Sequence, residues 1–259
     1  MMNDIMRVLL GLMCASLLYG LDTTPIKERI SEVSAKDVSF PARNLKVGQS
    51  GIVITHKEGY NVIIANVLIA QIQDNIAYAK YTPFTSIEQK YLPTPMATPK
   101  EGDEVLFGGF YNKAIVIAPD QMSYNQILAY NESLPPHNQT HFLHIDMFAA
   151  FLAKDGINDP KPKHLSAFCS IYSVGLVYIF ASNGVNVLDC QSFSILEVLP
   201  FEKPQLESTQ APFFSRIPNI DTGSLASKLR SKQSRQYFSY YDNLLGPSLK
   251  LFEKLTGTN

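Results

Sequence analysis

The stretch from Cys169 to Val198 constrains this chain more than any other. Val174 to Ala181 is apolar on both alternating faces, the pattern of a strand covered on each side in the interior of a sheet. Asn183-Gly184 follows, a pair able to supply the left-handed φ values of a tight hairpin, so Val185 to Cys190 should return antiparallel. Side chains alternate along a strand. Leu188 and Cys190 therefore share one face of the return strand, and Val185, Val187 and Asp189 share the other. Just upstream, Leu165, Phe168, Cys169 and Tyr172 fall at i, i+3, i+4 and i+7, which is one face of a helix. If Cys169 and Cys190 pair, that helix must lie on the Leu188 face, and a bridge closing a loop of this size is worth about 3 kcal/mol in the chain-entropy model. The alternative is two buried free thiols packing as small hydrophobes.

The residues before this stretch extend the same unit. Ala114 to Ala118 is a compact apolar strand ended by Pro119, and Asp120 is placed to cap a helix carrying Tyr124, Ile127 and Leu128 on one face. His141 to Ile145 reads as a second strand. Asp146 then reads as the cap of a helix from Met147 to Lys154, with Phe148, Phe151 and Leu152 inward and Gly156 as its stop. Strands alternating with helices in this order imply a mixed sheet with helices packed on it, over residues 111–200.

Residues 38–110 have a different character. Val47 to Thr55, Tyr60 to Ala70, Ile76 to Tyr81 and the run ending at Leu106 are short strands separated by turn signals at Glu58-Gly59, Asp74-Asn75 and Gly102, as in a small barrel or sandwich. The expected fold is thus α+β: a small β-barrel or sandwich module followed by a mixed-sheet α/β module with a helical C-terminal tail. Residues 21–37 form an N-terminal arm that suits a short helix or an ordered strap. Tyr91 to Pro99 holds three prolines and reads as an extended surface connection. Residues 201–221, with Pro204, Pro212 and Pro218, read as a surface connector, and residues 222–259 as a basic helical tail.

Residues 1–20 read as a secretory signal peptide. Arg7 closes a short polar region, Val8 to Leu18 is its apolar core, too short for a transmembrane helix of about 20 residues, and Gly20 offers a small residue for cleavage. Met13 before Cys14 makes a poor lipoprotein site. The expected localisation is export to the periplasm or the outer-membrane surface, a compartment that permits disulfides. Formal net charge is −1, so no global field would hold nucleic acid or an anionic membrane.

No GxSxG elbow, P-loop or GxGxxG fingerprint is present, which points away from an enzyme and from any cofactor. His137, His141, His144 and Asp146 form the densest group of potential metal ligands. On a strand only His144 and Asp146 face the same way, which is too few for a metal site. In the tail, Lys228, Arg230, Lys232 and Arg235 precede Tyr237, Phe238, Tyr240 and Tyr241. Basic residues beside aromatics can bind nucleic acid or a membrane surface, but a helix docking its aromatics on the core is the commoner arrangement.

Asn44-Leu-Lys-Val-Gly-Gln-Ser-Gly-Ile-Val-Ile54, Leu92-Pro-Thr-Pro95 followed by Gly102-Asp-Glu-Val105, Ile115 to Pro119, Asp146 to Ala150, Val174 to Tyr178 and Asp189-Cys-Gln-Ser-Phe193 together resemble the N-terminal domain of bacterial plasminogen-binding surface proteins. The resemblance covers residues 21 to 217. It implies an exported, envelope-associated, non-enzymatic protein whose partner is host plasminogen, captured through surface lysines. It also supports pairing Cys169 with Cys190, since both lie inside its motifs. Kringle pockets read an ammonium beside a carboxylate, so a C-terminal lysine is the ideal ligand. Members of the family carry a lysine-rich region after this domain, whereas this sequence reads Thr256-Gly-Thr-Asn259. The internal substitutes are Lys250 and Lys254 beside Glu253, or Lys228 and Lys232. The alternative reading is a structural or assembly component of a cell-envelope complex, with another envelope protein as partner.

Overall fold

The computed structural model describes residues 21–84, 97–217 and 233–246. The expected signal peptide, the Leu92 to Pro95 motif and the lysines Lys228, Lys232, Lys250 and Lys254 with Glu253 lie outside the described residues. The architecture is α+β: a curled, seven-stranded antiparallel sheet beside a five-stranded mixed sheet, with helices on the latter. No helix among the described residues is long and apolar enough to cross a membrane.

The curled sheet consists of β1 (Ile26–Arg29), β2 (Glu32–Val33), β3 (Asp37–Pro41), β4 (Ser50–Lys57), β5 (Tyr60–Gln73), β6 (Ile76–Pro83) and β7 (Glu104–Phe107), in the order β1-β7-β4-β5-β6-β3-β2. Two of its hairpins are two-residue turns with positive φ at both central positions, Glu58-Gly59 at 52° and 85° and Asp74-Asn75 at 49° and 62°. That geometry matches the right-handed twist of the flanking strands. The ladder shifts register twice along β5, near Ile64 against β4 and near Ala70 against β6. Such bulges increase the local twist, and here they help a 14-residue strand wrap.

The segment read from sequence as a helix or arm is β1 and β2. It belongs to both edges of the sheet: β1 pairs with β7 while β2, two residues on, pairs with β3. At the crossing, Ile30 donates to the Asp103 carbonyl and Ser31 to the Ser39 carbonyl. The sheet thereby curls until one short segment joins its two edges, which leaves few strand groups unpaired. Phe40, Val53, Ile69, Val105 and Phe107 fill the interior.

The mixed sheet has the order β12-β11-β10-β8-β9, built from β8 (Lys113–Ile117), β9 (His141–Phe142), β10 (Leu176–Ala181), β11 (Gly184–Asp189) and β12 (Ile195–Leu199). Strands β9, β8 and β10 are parallel, and β11 and β12 continue antiparallel. Helix α1 (Gln121–Ser133) connects β8 to β9, and α2 (Asp146–Lys154) and α3 (Pro162–Tyr172) connect β9 to β10. All six residues of β10 are buried, as its two-sided apolar pattern requires. Asp120 caps α1, its carboxylate accepting from the Ser123 amide at 2.9 Å.

Three local expectations are corrected. The β10–β11 turn is centred on Ser182 and Asn183, because Ala181 pairs with Gly184, so Gly184 with φ 124° is the first strand residue and not part of the turn. A Cβ there would sit 2.4 Å from the Leu199 carbonyl oxygen, so closeness to β12 selects the glycine as much as the turn does. Asp146 does not cap α2. Ile145 holds the N-cap position without a side-chain bond, and Asp146 occupies the first turn, where its charge suits the helix dipole. The connector after Pro200 does not lie wholly on the surface. Phe213 and Phe214 are buried, Phe213 stacking on Phe148 and Phe214 against Tyr124.

The tail is described from Gln233 to Gly246, where a 3-10 turn leads into α4 (Tyr237–Leu245). Its tyrosines are consumed by the core. The hydroxyls of Tyr237, Tyr240 and Tyr241 donate to the carbonyls of Ile117, Pro160 and Pro212 at 3.0, 2.6 and 3.0 Å. Burial pushes all three phenols well above their ordinary range. The aromatic half of the basic–aromatic pattern is therefore core packing.

Candidate functional site at the seam between the two sheets

Asp189 ends β11 on the face opposite Leu188, pointing toward the curled sheet. It is fully buried. A carboxylate out of water is tolerated only when its oxygens are satisfied, and five donors do this. Oδ2 accepts from the Ser50 amide at 2.9 Å, the Ser50 hydroxyl at 2.6 Å and the Tyr111 hydroxyl at 2.7 Å. Oδ1 accepts from the amides of Gln191 and Ser192, both at 2.9 Å. Ser50 opens β4, so one acid ties the first strand residue of the central hairpin to the end of β11, 139 positions away. No cation touches it among these contacts. Burial, and then the charge of Asp189, push the Tyr111 phenol well above its ordinary range, so Tyr111 stays a donor.

Further contacts extend the seam. Ser192 donates its hydroxyl to the Gly48 carbonyl, and the Lys46 ammonium donates to the Leu196 carbonyl at 3.3 Å. Behind Asp189, Cys190 is bonded to Cys169 of α3, with Cα atoms 6.1 Å apart. The disulfide staples α3 to the Leu188 face of the sheet. The last residue of β11 and the one after it thus face opposite ways, Cys190 holding a helix and Asp189 holding the other sheet.

Beside the seam lies a cleft of about 250 Å³. The cross-strand row Ser50–Leu68–Lys80 and the row Leu106–Ile52–Asn66–Thr82 form one wall, both on the outer face of the curled sheet. The opposite wall is α3, which presents Ser166, Cys169 and Ser170, with its C-cap Ser173, and Phe110 and Gly109 also line the cleft. Only strand register brings these residues together, so no motif in the sequence announces the cleft.

A second acid organises the other end of the mixed sheet. Asp146 Oδ1 accepts from the Ser215 hydroxyl and the Arg216 amide, and Oδ2 from Arg216 Nε, each at 2.9 Å. Burial alone would raise its pKa, but these bonds, with Arg216 foremost, hold it below the usual carboxylate value. His144 Nδ1 lies 3.3 Å from Asp146 Oδ2. The two are neighbours, but not as strand residues: β9 stops at Phe142 instead of running to Ile145, Asp146 stands in the first turn of α2, and the acid's other bonds go to the connector. Among the described residues no three His, Cys, Asp or Glu side chains gather as a metal site would need. Among the described residues two lysines make ion pairs, Lys27 with Glu104 at 3.1 Å and Lys80 with Asp37 at 3.2 Å.

Residues 25–245 match the sequence model of a family described as plasminogen-binding protein pgbA N-terminal. Two curated relatives, each named plasminogen-binding protein PgbA, come from Helicobacter pylori strains J99 and 26695. They are 37% and 36% identical over 245 residues, which is 93% of this chain and 52% of theirs. The chain spans about half the length of the curated relatives it matches.

Proposed function

This chain belongs to the family of plasminogen-binding protein pgbA N-terminal domains, and from that premise we propose that it is an exported, envelope-associated binding protein, not an enzyme, that captures host plasminogen through surface lysines. The observation that carries the reading is the extent of the match, which runs from the start of β1 to the end of α4 and so takes in both sheets and the seam. The relatives' names support a protein partner.

Kringle pockets read an ammonium together with a separate carboxylate. Lys27 and Lys80 each hold an acid directly, at 3.1 and 3.2 Å, so neither presents the ammonium and carboxylate apart, as that pattern needs. We assign lysine display to Lys228 and Lys232, or to Lys250 and Lys254 beside Glu253. The test is binding of the purified chain to immobilised plasminogen, with and without 6-aminohexanoate. Competable binding is expected, at least fivefold weaker when Lys250 and Lys254, or Lys228 and Lys232, are replaced in pairs by alanine. Absence of competable binding would sink the proposal. Cell fractionation checks export, and recovery in the cytoplasm would refute that part.

A further inference from the structure

The geometry points to a second binding function: the cleft beside the seam is a site for a small amphipathic anion, an apolar body of medium chain length with one carboxylate or similar head. This is independent of lysine display. Small-molecule sites are typically clefts of ~300–1,000 Å³ with mostly apolar walls and a few placed polar groups. This one, at about 250 Å³, lies just under that range, so its ligand is small.

Ile52, Leu68, Leu106 and Phe110 supply the apolar walls, and Leu68, Leu106 and Phe110 are only half-buried, so their surface is not used up by the protein's own core. The sign of the ligand follows from charge. Lys80 is the only charged side chain among the described residues that line the cleft, and no carboxylate lines it. Its ammonium carries three donors. One bond goes to Asp37 Oδ1 at 3.2 Å, and Asp37 is half-exposed and outside the lining. Two donors therefore remain for an anion, with Thr82 and Ser170 hydroxyls available on the two walls. A cationic head would meet Lys80, and the acid nearest to it, Asp37, lies outside the lining and is already bonded to that ammonium.

The experiment is calorimetric titration of the full chain with decanoate, and with decyltrimethylammonium as the probe of opposite sign. Decanoate is expected to bind one to one, and the cation at least tenfold more weakly. Lys80→Met should weaken decanoate at least tenfold, and Asp37→Asn, which frees the ammonium, should leave it unchanged or tighten it. That pair of outcomes separates head recognition from loss of the Lys80–Asp37 bridge, which both variants break. Ser170→Phe, which fills the cleft, should abolish binding. Should that variant not fold, Lys80→Met at its partly exposed position decides the matter. No saturable decanoate binding, equal binding of the cation, or indifference to Lys80→Met would overturn the assignment.

Discussion

Two aspartates hold this molecule together, and they do so by opposite means. Asp189 is buried and bonded by neutral donors alone, two of them from Ser50 of the other sheet. Asp146 is partly exposed and bonded mainly by Arg216 of the connector, whose side chain is 65% exposed. Solvent screens the second arrangement and leaves the first intact. The seam should therefore behave as part of the core, and the connector clamp as a surface latch that only positions Phe213 and Phe214.

Asp189→Asn tests that contrast most severely. The amide turns one acceptor oxygen into a donor among donors, so buried groups lose their partner, and a loss of about 3 kcal/mol or more is expected, since each bond to a charged acceptor is worth about 1.5–3 kcal/mol and more than one is lost. Denaturant unfolding measures it. A loss below 1 kcal/mol would show that the two aspartates do not differ as claimed. Reduction of the Cys169–Cys190 bridge comes next, at about 2–4 kcal/mol, and it should loosen α3 while the Ser50 contacts of Asp189 survive. Hydrogen exchange separates the two, since protection lost equally in α3 and at the start of β4 would mean that staple and seam are one unit.

The two anchors also differ in how far the sequence reveals them. The alternation along β11 is enough to place Cys190 and Asp189 on opposite faces, and the helical spacing of Leu165 to Tyr172 is enough to predict a helix, which the pairing of Cys169 with Cys190 then puts on the Cys190 face. Both are local periodicities. What Asp189 does with its face depends on Ser50, which no pattern around residue 189 mentions. Asp146 is opaque for the same reason: an acid before an amphipathic run is the usual signature of a cap, and the arginine that claims it lies 70 residues on. The curled sheet was legible as strands and turns, but β1 and β2 are short and polar on their exposed side, so their place at both edges was not. The cleft required register across β4, β5 and β6, including two bulges that alternation cannot predict.

Acidity and alkalinity should break the two anchors separately. The folded-state pKa of Asp146 is lowered, so its contribution is present above the unfolded value of about 3.9 and is lost as pH falls through the folded value. Tyr111 is raised, so its contribution is present below about pH 10 and is lost as pH rises further. Tyr237 and Tyr241, also raised by burial, share that alkaline loss, so Tyr111→Phe is needed to isolate the seam. That variant removes one bond to a buried carboxylate, worth about 1.5–3 kcal/mol, and should make the alkaline limb of stability shallower by Tyr111's share without touching the acid limb. Asp146→Asn should do the reverse at the smallest cost, about 1 kcal/mol or less for a bond network reaching an exposed arginine. An acid limb unchanged in Asp146→Asn would show that the connector is held by Phe213 and Phe214 packing alone, and that the latch adds only orientation.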